Sequence, residues 1–324
     1  MSMNKFGMWA AMVLMLVPLA GAQSYIRGRG MLEGGGLQRY SHWVNDSADY
    51  QTSPPAPSYT SLSFPGSTNT YASGINNLDW VVGQYDNSTG GHGFLYHNGI
   101  YSSFDVPGAL DTEPGGINDR GEIVGAYEGT DTLTHGFLRT SAGFATIDYP
   151  GAAVTIPIPY GINSEGQIVG LWQSEGSGNS QGFLYQSGEF TLINFPGATS
   201  TAAYGINNHG QIVGSYTPAG ASDIVGFVDN AGTFSSIIVP GTTDPNLMGI
   251  NDEGLIVGSG QFLRHHSTIQ EGFFDVQGTF GWVLYPGAES TVIFAVNDEG
   301  QLVGTYFSNA QNEEFGLIAS LPAR

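Results

Sequence analysis

Residues 59–66 read YTSLSFPG, and five later stretches repeat this pattern. They are YSSFDVPG (101–108), FATIDYPG (144–151), FTLINFPG (190–197), FSSIIVPG (234–241) and FGWVLYPG (280–287). Each reads as a strand that ends at Pro-Gly, because proline has no N–H to donate to a sheet. The later copies each close a longer repeat, whereas the first copy stands before any repeat has begun. The chain thus begins with the last strand of its own repeating unit.

The longer repeat has a second signature 42 to 46 residues apart. Its copies are GINNLDWVVGQY (74–85), GINDRGEIVGAY (116–127), GINSEGQIVGLW (161–172), GINNHGQIVGSY (205–216), GINDEGLIVGSG (249–260) and AVNDEGQLVGTY (295–306). The N-x-x-G core predicts a tight hairpin, since Asn and Gly tolerate positive φ. A second hairpin joins a GFL-type strand to the Pro-Gly strand. Four strands in such a unit are typical of a propeller blade.

The two chain ends predict how the blades are arranged. After its second signature, the sixth copy has only FGLIAS (315–320) and so lacks a fourth strand. The stretch YTSLSFPG supplies the missing strand if it pairs into that blade. An open solenoid would instead need atypical caps at both ends. The sequence therefore predicts an all-β, six-bladed propeller of four-stranded blades, closed by the N-terminal strand.

The N-terminus predicts export. Residues 1–22 combine one lysine, an apolar run and the sequence AGA, which is the order of a secretory signal peptide cleaved near Ala22. The apolar run is shorter than the ~20 residues that span a bilayer. We therefore expect a secreted, extracellular or periplasmic protein. Residues 23–58, rich in Gly, Pro and Ser, read as a flexible lead-in, and residues 59–324 form the predicted propeller.

The amino-acid composition narrows the classes of molecule that the protein is expected to bind. The chain has 28 Asp and Glu against 8 Lys and Arg, a formal net charge of −20, and no cysteine. Such a charge disfavours nucleic acids and anionic membrane surfaces, and it is compatible with cations, sugars or basic partners. We expect a monomer that binds an extracellular glycan or protein ligand. No cofactor is predicted, although a divalent cation such as calcium would suit the charge.

The repeats resemble the HAF family of extracellular repeats, in which an HAFL core follows an IN-x-x-G-x-(I/V)-VG stretch. The matching residues are HGFL at 92–95 and 135–138, together with the six N-x-x-x-x-(V/I/L)-VG segments. The resemblance covers about residues 59–320. It departs from the family pattern at the second position of the core, where Gly replaces Ala, and at the initial His in four copies. It implies export and a repeated β fold, and no particular reaction.

Length variation between the repeats points to one face of the propeller as the binding face. The loops after the second strand of each blade vary most, and binding residues concentrate on loops held by a rigid scaffold. The candidate binding residues are Trp172, Arg264, His265, His266, Asp131 and Glu175. Trp172 could instead pack between blades, and the two histidines could belong to a solvated polar loop. His92 and His135 recur at one blade position, which favours a structural role.

A hydrolase or lyase that acts on polysaccharides or phosphoesters is the alternative function. Asp111, Glu113, Asp244 and Glu289 are carboxylates that break the repeat near the predicted channel mouth. The second and fifth blades lie opposite each other in a six-fold ring. Only Asp244, before the fifth blade, and Glu289, before the sixth, are on neighbouring blades, so they are the candidate catalytic pair or cation site. The chain has no G-x-S-x-G motif, P-loop or His/Cys metal cluster. The NDRG and NDEG turns lack the ligand spacing of an EF-hand loop and read as hairpins.

A recurring threonine predicts a structural hydrogen bond. It stands four positions after the Pro-Gly glycine in five units, at Thr70, Thr112, Thr155, Thr201 and Thr291, and Pro245 replaces it in the fifth blade. A hydroxyl at a strand start commonly bonds to nearby backbone. We expect this role rather than ligand binding.

Overall fold

Six antiparallel sheets of four strands each form a six-bladed β-propeller. The structure is a computed structural model that describes residues 57–149, 155–174, 179–264 and 267–322. These residues fall in the compact unit Pro54–Arg324. No helix among them is long and apolar enough to cross a bilayer. The predicted fold class is confirmed, and the prediction for residues 23–56 lies outside the described residues.

The strands follow one another blade by blade. The first strand is β1 (Ser58–Leu62). Blade 1 has β2 (Asn69–Ile75), β3 (Val81–Asn87), β4 (Gly90–His97) and β5 (Ile100–Phe104). Blade 2 has β6 (Asp111–Ile117), β7 (Ile123–Glu128), β8 (Thr134–Thr140) and β9 (Gly143–Ile147). Blade 3 has β10 (Thr155–Ile162), β11 (Ile168–Ser174), β12 (Ser180–Gln186) and β13 (Glu189–Ile193).

The second half of the ring repeats this order. Blade 4 has β14 (Ala198–Ile206), β15 (Gln211–Pro218), β16 (Val225–Asn230) and β17 (Thr233–Ile237). Blade 5 has β18 (Thr242–Ile250), β19 (Leu255–Arg264), β20 (Ser267–Val276) and β21 (Thr279–Val283). Blade 6 has β22 (Ser290–Val296), β23 (Gln301–Ser308) and β24 (Glu313–Ser320), with β1 as its outer strand.

The N-terminal strand closes the ring as predicted. β1 pairs antiparallel with β24, from Ser58 opposite Ser320 to Leu62 opposite Gly316. Leu62 is 1% exposed and packs with Ala72 and Phe94 of blade 1. The hydroxyl groups of Ser61 and Tyr306 are 2.9 Å apart and hydrogen-bonded. The first strand therefore joins both the hydrogen-bonded sheet of blade 6 and the apolar core that blade 6 shares with blade 1.

The asparagine of the N-x-x-G signature forms a second closed circle. Each Asn side chain donates from Nδ2 to the backbone carbonyl of the equivalent Asn in the next blade, at 2.9 to 3.3 Å. The sixth of these bonds runs from Asn297 back to Asn76. All six side chains are buried: Asn76, Asn118, Asn163, Asn207, Asn251 and Asn297. The signature residue thus ties neighbouring blades together around the propeller axis.

The aromatic residue before Pro-Gly packs between blades. In four of the six seams, this ring stacks on the ring at the end of the second strand of the following blade, with centroids 3.6 to 4.7 Å apart. The pairs are Phe64–Tyr85, Tyr149–Trp172, Phe195–Tyr216 and Tyr285–Tyr306. The stacked rings cover each other's apolar faces and so bury a large area at each of these seams. The Phe64 pair lies in the seam where the two chain ends meet.

The recurring threonine has the predicted role. Its Oγ1 accepts a hydrogen bond, at 2.9 to 3.1 Å, from the backbone N–H six residues earlier in the four copies whose side chains are described. These are Thr70, Thr112, Thr201 and Thr291, while the side chain of Thr155 lies outside the description. The bond ties the Pro-Gly turn to the first strand of the next blade.

One boundary differs from the sequence prediction. The variable loop predicted after the second strand of blade 5 falls at residues 261–271, yet β19 and β20 extend to Arg264 and Ser267, which pair with each other. Phe262 in this extension is 1% exposed, so the added hairpin contributes to the core. Burial of this ring explains why the segment continues as strand.

Candidate functional site

The meander of each blade gives the propeller two different ends. The turn face carries the N-x-x-G hairpins and the hairpins between third and fourth strands. The loop face carries the connections between second and third strands and those between blades. Because neighbouring strands are antiparallel, all members of each set lie at the same end.

The turn face has a polar ring around the axis. The residues that follow the buried asparagines line a shallow cavity with about 70 Å³ of space. They are Asn77, Asp119, Ser164, Asn208, Asp252 and Asp298. In five of the six, the backbone N–H donates to the side chain of the next member, as from Asn77 N to Asp119 Oδ1 at 2.8 Å. The members of this ring hydrogen-bond mainly to one another, which favours a structural role for them.

The loop face has an acidic cluster at the seams of blades 6, 1 and 2, which we call the seam pocket. Its members come from the loop-face ends of four strands. They are Asn69 and Tyr71 of β2, Gln84 and Asp86 of β3, Asp111 and Glu113 of β6, and Glu314 of β24. Tyr71, Gln84 and Glu113 are buried, and the other four are half-buried. Carboxylates from three blades therefore face a common, partly solvated space.

Hydrogen bonds connect these members in a chain across the seams. Gln84 Nε2 donates to Asp86 Oδ1 at 3.2 Å and to Asp111 Oδ1 at 3.5 Å. Asn69 donates from Nδ2 to Asp86 Oδ2 at 3.2 Å and accepts the backbone N–H of Glu314 on Oδ1 at 3.0 Å. Gln84 thus holds the carboxyl groups of Asp86 and Asp111 close to each other. Asn69 joins Asp86 to the backbone of Glu314, whose carboxyl group accepts a hydrogen bond from Thr305 Oγ1 at 3.0 Å.

Gln84 has an unusual environment. It is 1% exposed, and its Oε1 has no hydrogen-bond partner among the described residues. The backbone of Gly91 lies against the pocket so closely that a Cβ there would stand 2.3 Å from both Gln84 Nε2 and Asp111 Oδ1. A buried acceptor without a donor costs about 1–3 kcal/mol, so its presence needs a reason.

Burial and repulsion between carboxylates raise the pKa values of the carboxyl groups in the pocket. Burial, with the charges of Asp86 and Glu128, raises the pKa of Asp111 to about 6. Burial also raises the pKa of Asp86, although hydrogen bonds from Asn69 and Gln84 oppose it.

The other pocket members show the same direction of shift. Burial raises the pKa of Glu314, against a hydrogen bond from Thr305. Burial and the negative charges of Asp86, Glu314 and Glu113 raise the pKa of the Tyr71 phenol. The pocket thus holds more negative charge than its surroundings neutralise, and His92 is the basic side chain that acts on Asp86 and Asp111.

Three of the six residues predicted to bind ligand are described, and they lie on three different blades and have partners there. Trp172 stacks on Tyr149 at 4.7 Å between centroids, which is the packing alternative raised by the sequence. Arg264 forms an ion pair with the buried Glu271, with Nη2 and Oε2 2.6 Å apart. Asp131 is exposed and contacts His135 at 3.2 Å. His265, His266 and Glu175 lie outside the described residues.

Asp244 and Glu289, the alternative catalytic or cation-binding pair, have separate surroundings. Asp244 Oδ1 accepts the backbone N–H of Ile224 at 3.1 Å. Ser200 and Asn69 make the same contact with blades 3 and 6, so this carboxylate fills a repeated inter-blade position. Glu289 is exposed on the connection before β22. No group of three His, Asp or Glu side chains within the described ranges could hold a metal ion.

Sequence reasoning found two of the seven residues of the seam pocket and missed the rest. Asp111 and Glu113 were recognised as carboxylates that break the repeat, but Gln84, Asp86 and Glu314 were not. Comparison of the repeats carries a signal for Gln84, since the equivalent positions hold Ala126, Leu171, Ser215, Ser259 and Thr305. Glu314 had no such signal, because its neighbour in the pocket is joined to it only by closure of the ring.

The fold and this pocket define a closed six-bladed propeller with an acidic loop face. A comparison with protein-family models and with curated proteins gives no match. Among solved structures, a gluconolactonase from Xanthomonas campestris is 12% identical with a TM-score of 0.49, covering 82% of this chain and 95% of that one.

Two further structures show the range of the similarity. A lectin from Aleuria aurantia in complex with Fucα1-6GlcNAc is 11% identical with a TM-score of 0.48, covering 75% of this chain and 89% of that one. TolB from Acinetobacter baumannii is 11% identical with a TM-score of 0.45, covering 78% of this chain. This chain spans about half, 54%, of that TolB. At these scores the matches carry no argument about function.

Proposed function

We propose that this protein is an exported binding module that holds its ligand on the loop face, at the seam pocket. One observation carries the proposal: the loop face brings half-buried carboxyl groups of two blades, Asp86 and Asp111, beside the buried amide of Gln84, whose oxygen has no hydrogen-bond partner among the described residues. Ordinary blade packing does not require this arrangement, since other seams use Ser200 or Asp244 with a backbone donor. Clustered charge that folding does not need is typical of a binding site.

Export and membership of the HAF family belong to the same proposal. The signal-peptide pattern of residues 1–22 and the repeat resemblance support them, and a propeller without cysteine suits an extracellular scaffold whose stability comes from packing alone. The hydrolase alternative gains no support from Asp244 and Glu289, because Asp244 takes part in an inter-blade contact and Glu289 is exposed.

A ligand screen with paired variants tests the binding function. The mature protein would be melted in the presence of glycans, basic and acidic peptides, amines and calcium, because any ligand specific for the folded state raises the melting temperature. We expect at least one ligand whose effect is lost in Asp111→Asn and kept in Asp119→Asn, a variant of the turn-face ring. A ligand lost only in Asp119→Asn, or no ligand at all, would contradict the loop-face proposal.

A further inference from the structure

The first hairpin turn of blade 1 differs from the equivalent turns of all the other blades. In blades 2 to 6 the glycine of the N-x-x-G signature has φ between 74° and 79°. Blade 1 has Asp79 at this position with φ of 60°, a conformation that residues with a Cβ rarely adopt. The preceding Leu78 is 57% exposed, where the other blades have charged residues or histidine. Local structural preferences therefore do not explain the sequence of this turn.

Trp80, which follows Asp79, replaces a side chain that stabilises the other turns. In four blades the equivalent side chain accepts a hydrogen bond, at 2.7 to 2.8 Å, from Nδ2 of the signature asparagine. The four acceptors are Glu122, Gln167, Gln211 and Gln301. An indole has no such acceptor, and Trp80 is 37% exposed. Because the turn gains neither this hydrogen bond nor full burial from Trp80, the residue indicates a role at the surface.

The second hairpin turn of blade 1 holds the Trp80 ring in place. His97, at the end of β4, stacks on the indole with centroids 4.6 Å apart and an angle of 11° between the planes. Asn98 donates from Nδ2 to His97 Nε2 at 2.7 Å, and His97 Nδ1 lies 3.4 Å from the carbonyl oxygen of Asp79. These contacts orient the imidazole and connect the two turns. The indole is therefore held in one orientation without any ligand.

The groups around the indole suit a neutral sugar. A pyranose packs the C–H groups of one face on an aromatic ring, and its hydroxyl groups need polar partners at the rim. Asp79 and Asn98 are exposed and flank the stacked pair of Trp80 and His97. A neutral ligand also meets no repulsion from a chain with a formal charge of −20. The core of a protein interface is depleted in charged residues, whereas Asp79 stands between the exposed Leu78 and Trp80.

We propose that the two hairpin turns of blade 1 bind a neutral saccharide. The Trp80 ring is the stacking surface, and the side chains of Asp79 and Asn98 are hydrogen-bond partners of the sugar hydroxyl groups. This site lies on the turn face, at the opposite end of the propeller from the seam pocket. The inference therefore goes beyond the proposed function and does not depend on it.

NMR titration of the mature, ¹⁵N-labelled protein with cellohexaose, chitohexaose and maltohexaose tests the site. These neutral hexasaccharides differ in linkage or in substituents, and each tryptophan has its own indole N–H resonance. We expect at least one of the three sugars to shift the Trp80 resonance in a saturable manner and to leave those of Trp172 and Trp282 unchanged. The Trp80 resonance is identified by its loss in Trp80→Gln.

Calorimetry with the sugar that binds then compares variants. Trp80→Gln restores the acceptor of blades 3, 4 and 6, so it should keep or raise the melting temperature while it weakens sugar binding about tenfold or more. Asp79→Gly restores the glycine of the other blades, and it should likewise keep the melting temperature while it weakens binding about threefold. Trp282→Leu is the matched control, because Trp282 is also 37% exposed and blade 3 has Leu192 at that position. It should change the affinity less than about twofold.

Four outcomes would overturn the inference. They are no shift of the Trp80 resonance with any of the three sugars, an equal loss of affinity in Trp282→Leu, and a lower melting temperature of Trp80→Gln with unchanged sugar affinity. The fourth is self-association that depends on Trp80 without any effect of sugar, which would make this surface a contact between two copies of the chain. Asp111→Asn should leave the sugar affinity unchanged. A loss in Asp111→Asn, with Trp80→Gln unaffected, would place the sugar on the loop face, so that the proposed function stands and this inference fails.

Discussion

At the scale of the residue, one asparagine per blade makes two kinds of hydrogen bond. Its Nδ2 bonds to the next blade, and its Oδ1 accepts backbone N–H groups of its own turn, as Asn207 Oδ1 does from His209 and Gln211. An aspartate in its place could not donate to the carbonyl, and a glycine could do neither. The double role explains why this position holds Asn in all six copies, whereas the position after it varies.

Asn207→Ala should lower the stability more than an ordinary surface change. The substitution removes the bond to the buried Asn251 O and leaves the partly buried N–H groups of His209 and Gln211 without an acceptor. Unsatisfied buried groups cost about 1–3 kcal/mol each, so we expect a loss of about 2–4 kcal/mol in the free energy of unfolding. Urea denaturation measures it. Asn309→Ala, at an exposed turn position, should cost less than about 0.5 kcal/mol, and similar losses for both variants would refute the role of the ring.

His135 should contribute stability that depends on pH. Partial burial alone would lower the pKa of His135, but hydrogen bonds and charge from Asp148 and Asp131 outweigh it and raise the pKa. The contribution is therefore fully present below the unfolded pKa, near 6.5, and is lost as the pH rises through the higher folded value. Because Asp131 and Asp148 are 52% and 43% exposed, solvent screens both pairs and the effect should stay below about 1 kcal/mol.

Melting curves of the wild type and His135→Gln between pH 5 and 8 measure this contribution. The difference in melting temperature should be largest at pH 5 and should vanish toward pH 8. A difference that grows with pH would contradict the assignment. NMR titration of the imidazole gives the folded pKa directly.

At the scale of the element, β1 decides whether the ring is closed. Without it, β24 would have an unpaired edge, and Phe94 and Ala72 would lose the packing of Leu62. An exposed edge strand promotes association between chains. The same strand also places Phe64 on Tyr85, at 3.7 Å between centroids, across the closing seam.

Deletion of Ser58–Leu62 from the full chain should abolish the cooperative unfolding transition or lower its midpoint strongly. The strand carries five backbone pairs and the buried Leu62, and Leu62→Ala alone should cost about 2–5 kcal/mol. Differential scanning calorimetry measures both variants. A synthetic peptide of residues 57–66 should restore the transition of the deletion variant, and a scrambled peptide should not. Unchanged melting after the deletion would mean that the ring does not depend on this strand.

At the scale of the whole molecule, the excess of acidic residues makes the stability depend on pH and on salt concentration. The formal charge of −20 gives self-repulsion at neutral pH. Burial raises the pKa of Asp111, Asp86, Glu314, Asp229 and Asp275 above that of unfolded aspartate and glutamate. Protonation of these groups therefore favours the folded state. Their contribution is present below about pH 4 and is lost as the pH rises through the raised values, which reach about 6 for Asp111.

The ligand-free protein should consequently melt at a higher temperature at pH 5 than at pH 8 in low salt. Added sodium chloride should raise the melting temperature at pH 8 and have less effect at pH 5, because it screens repulsion between exposed carboxylates. Asp111→Asn should reduce the pH dependence. A melting temperature that increases steadily from pH 5 to pH 8 would contradict this account.

The repeat pattern alone predicted the number of blades, the four strands of each blade and the closing strand. It also predicted the hydrogen bond of the recurring threonine. These features follow from local preferences for turns and strands, and the same residues recur in each repeat. It also marked Asp111 and Glu113 as departures from the repeat.

That Gln84 and Asp86 lie beside Asp111, and that Glu314 meets Asn69 across the closing seam, follows from how the blades pack against one another. Glu314 and Asn69 are 245 residues apart in sequence and meet only because the ring closes. Burial, which shifts the pKa of a carboxyl group and leaves an amide oxygen without a donor, depends on what neighbouring blades place around it. A linear pattern contains no measure of that burial, so the pocket could not be read from the repeats alone.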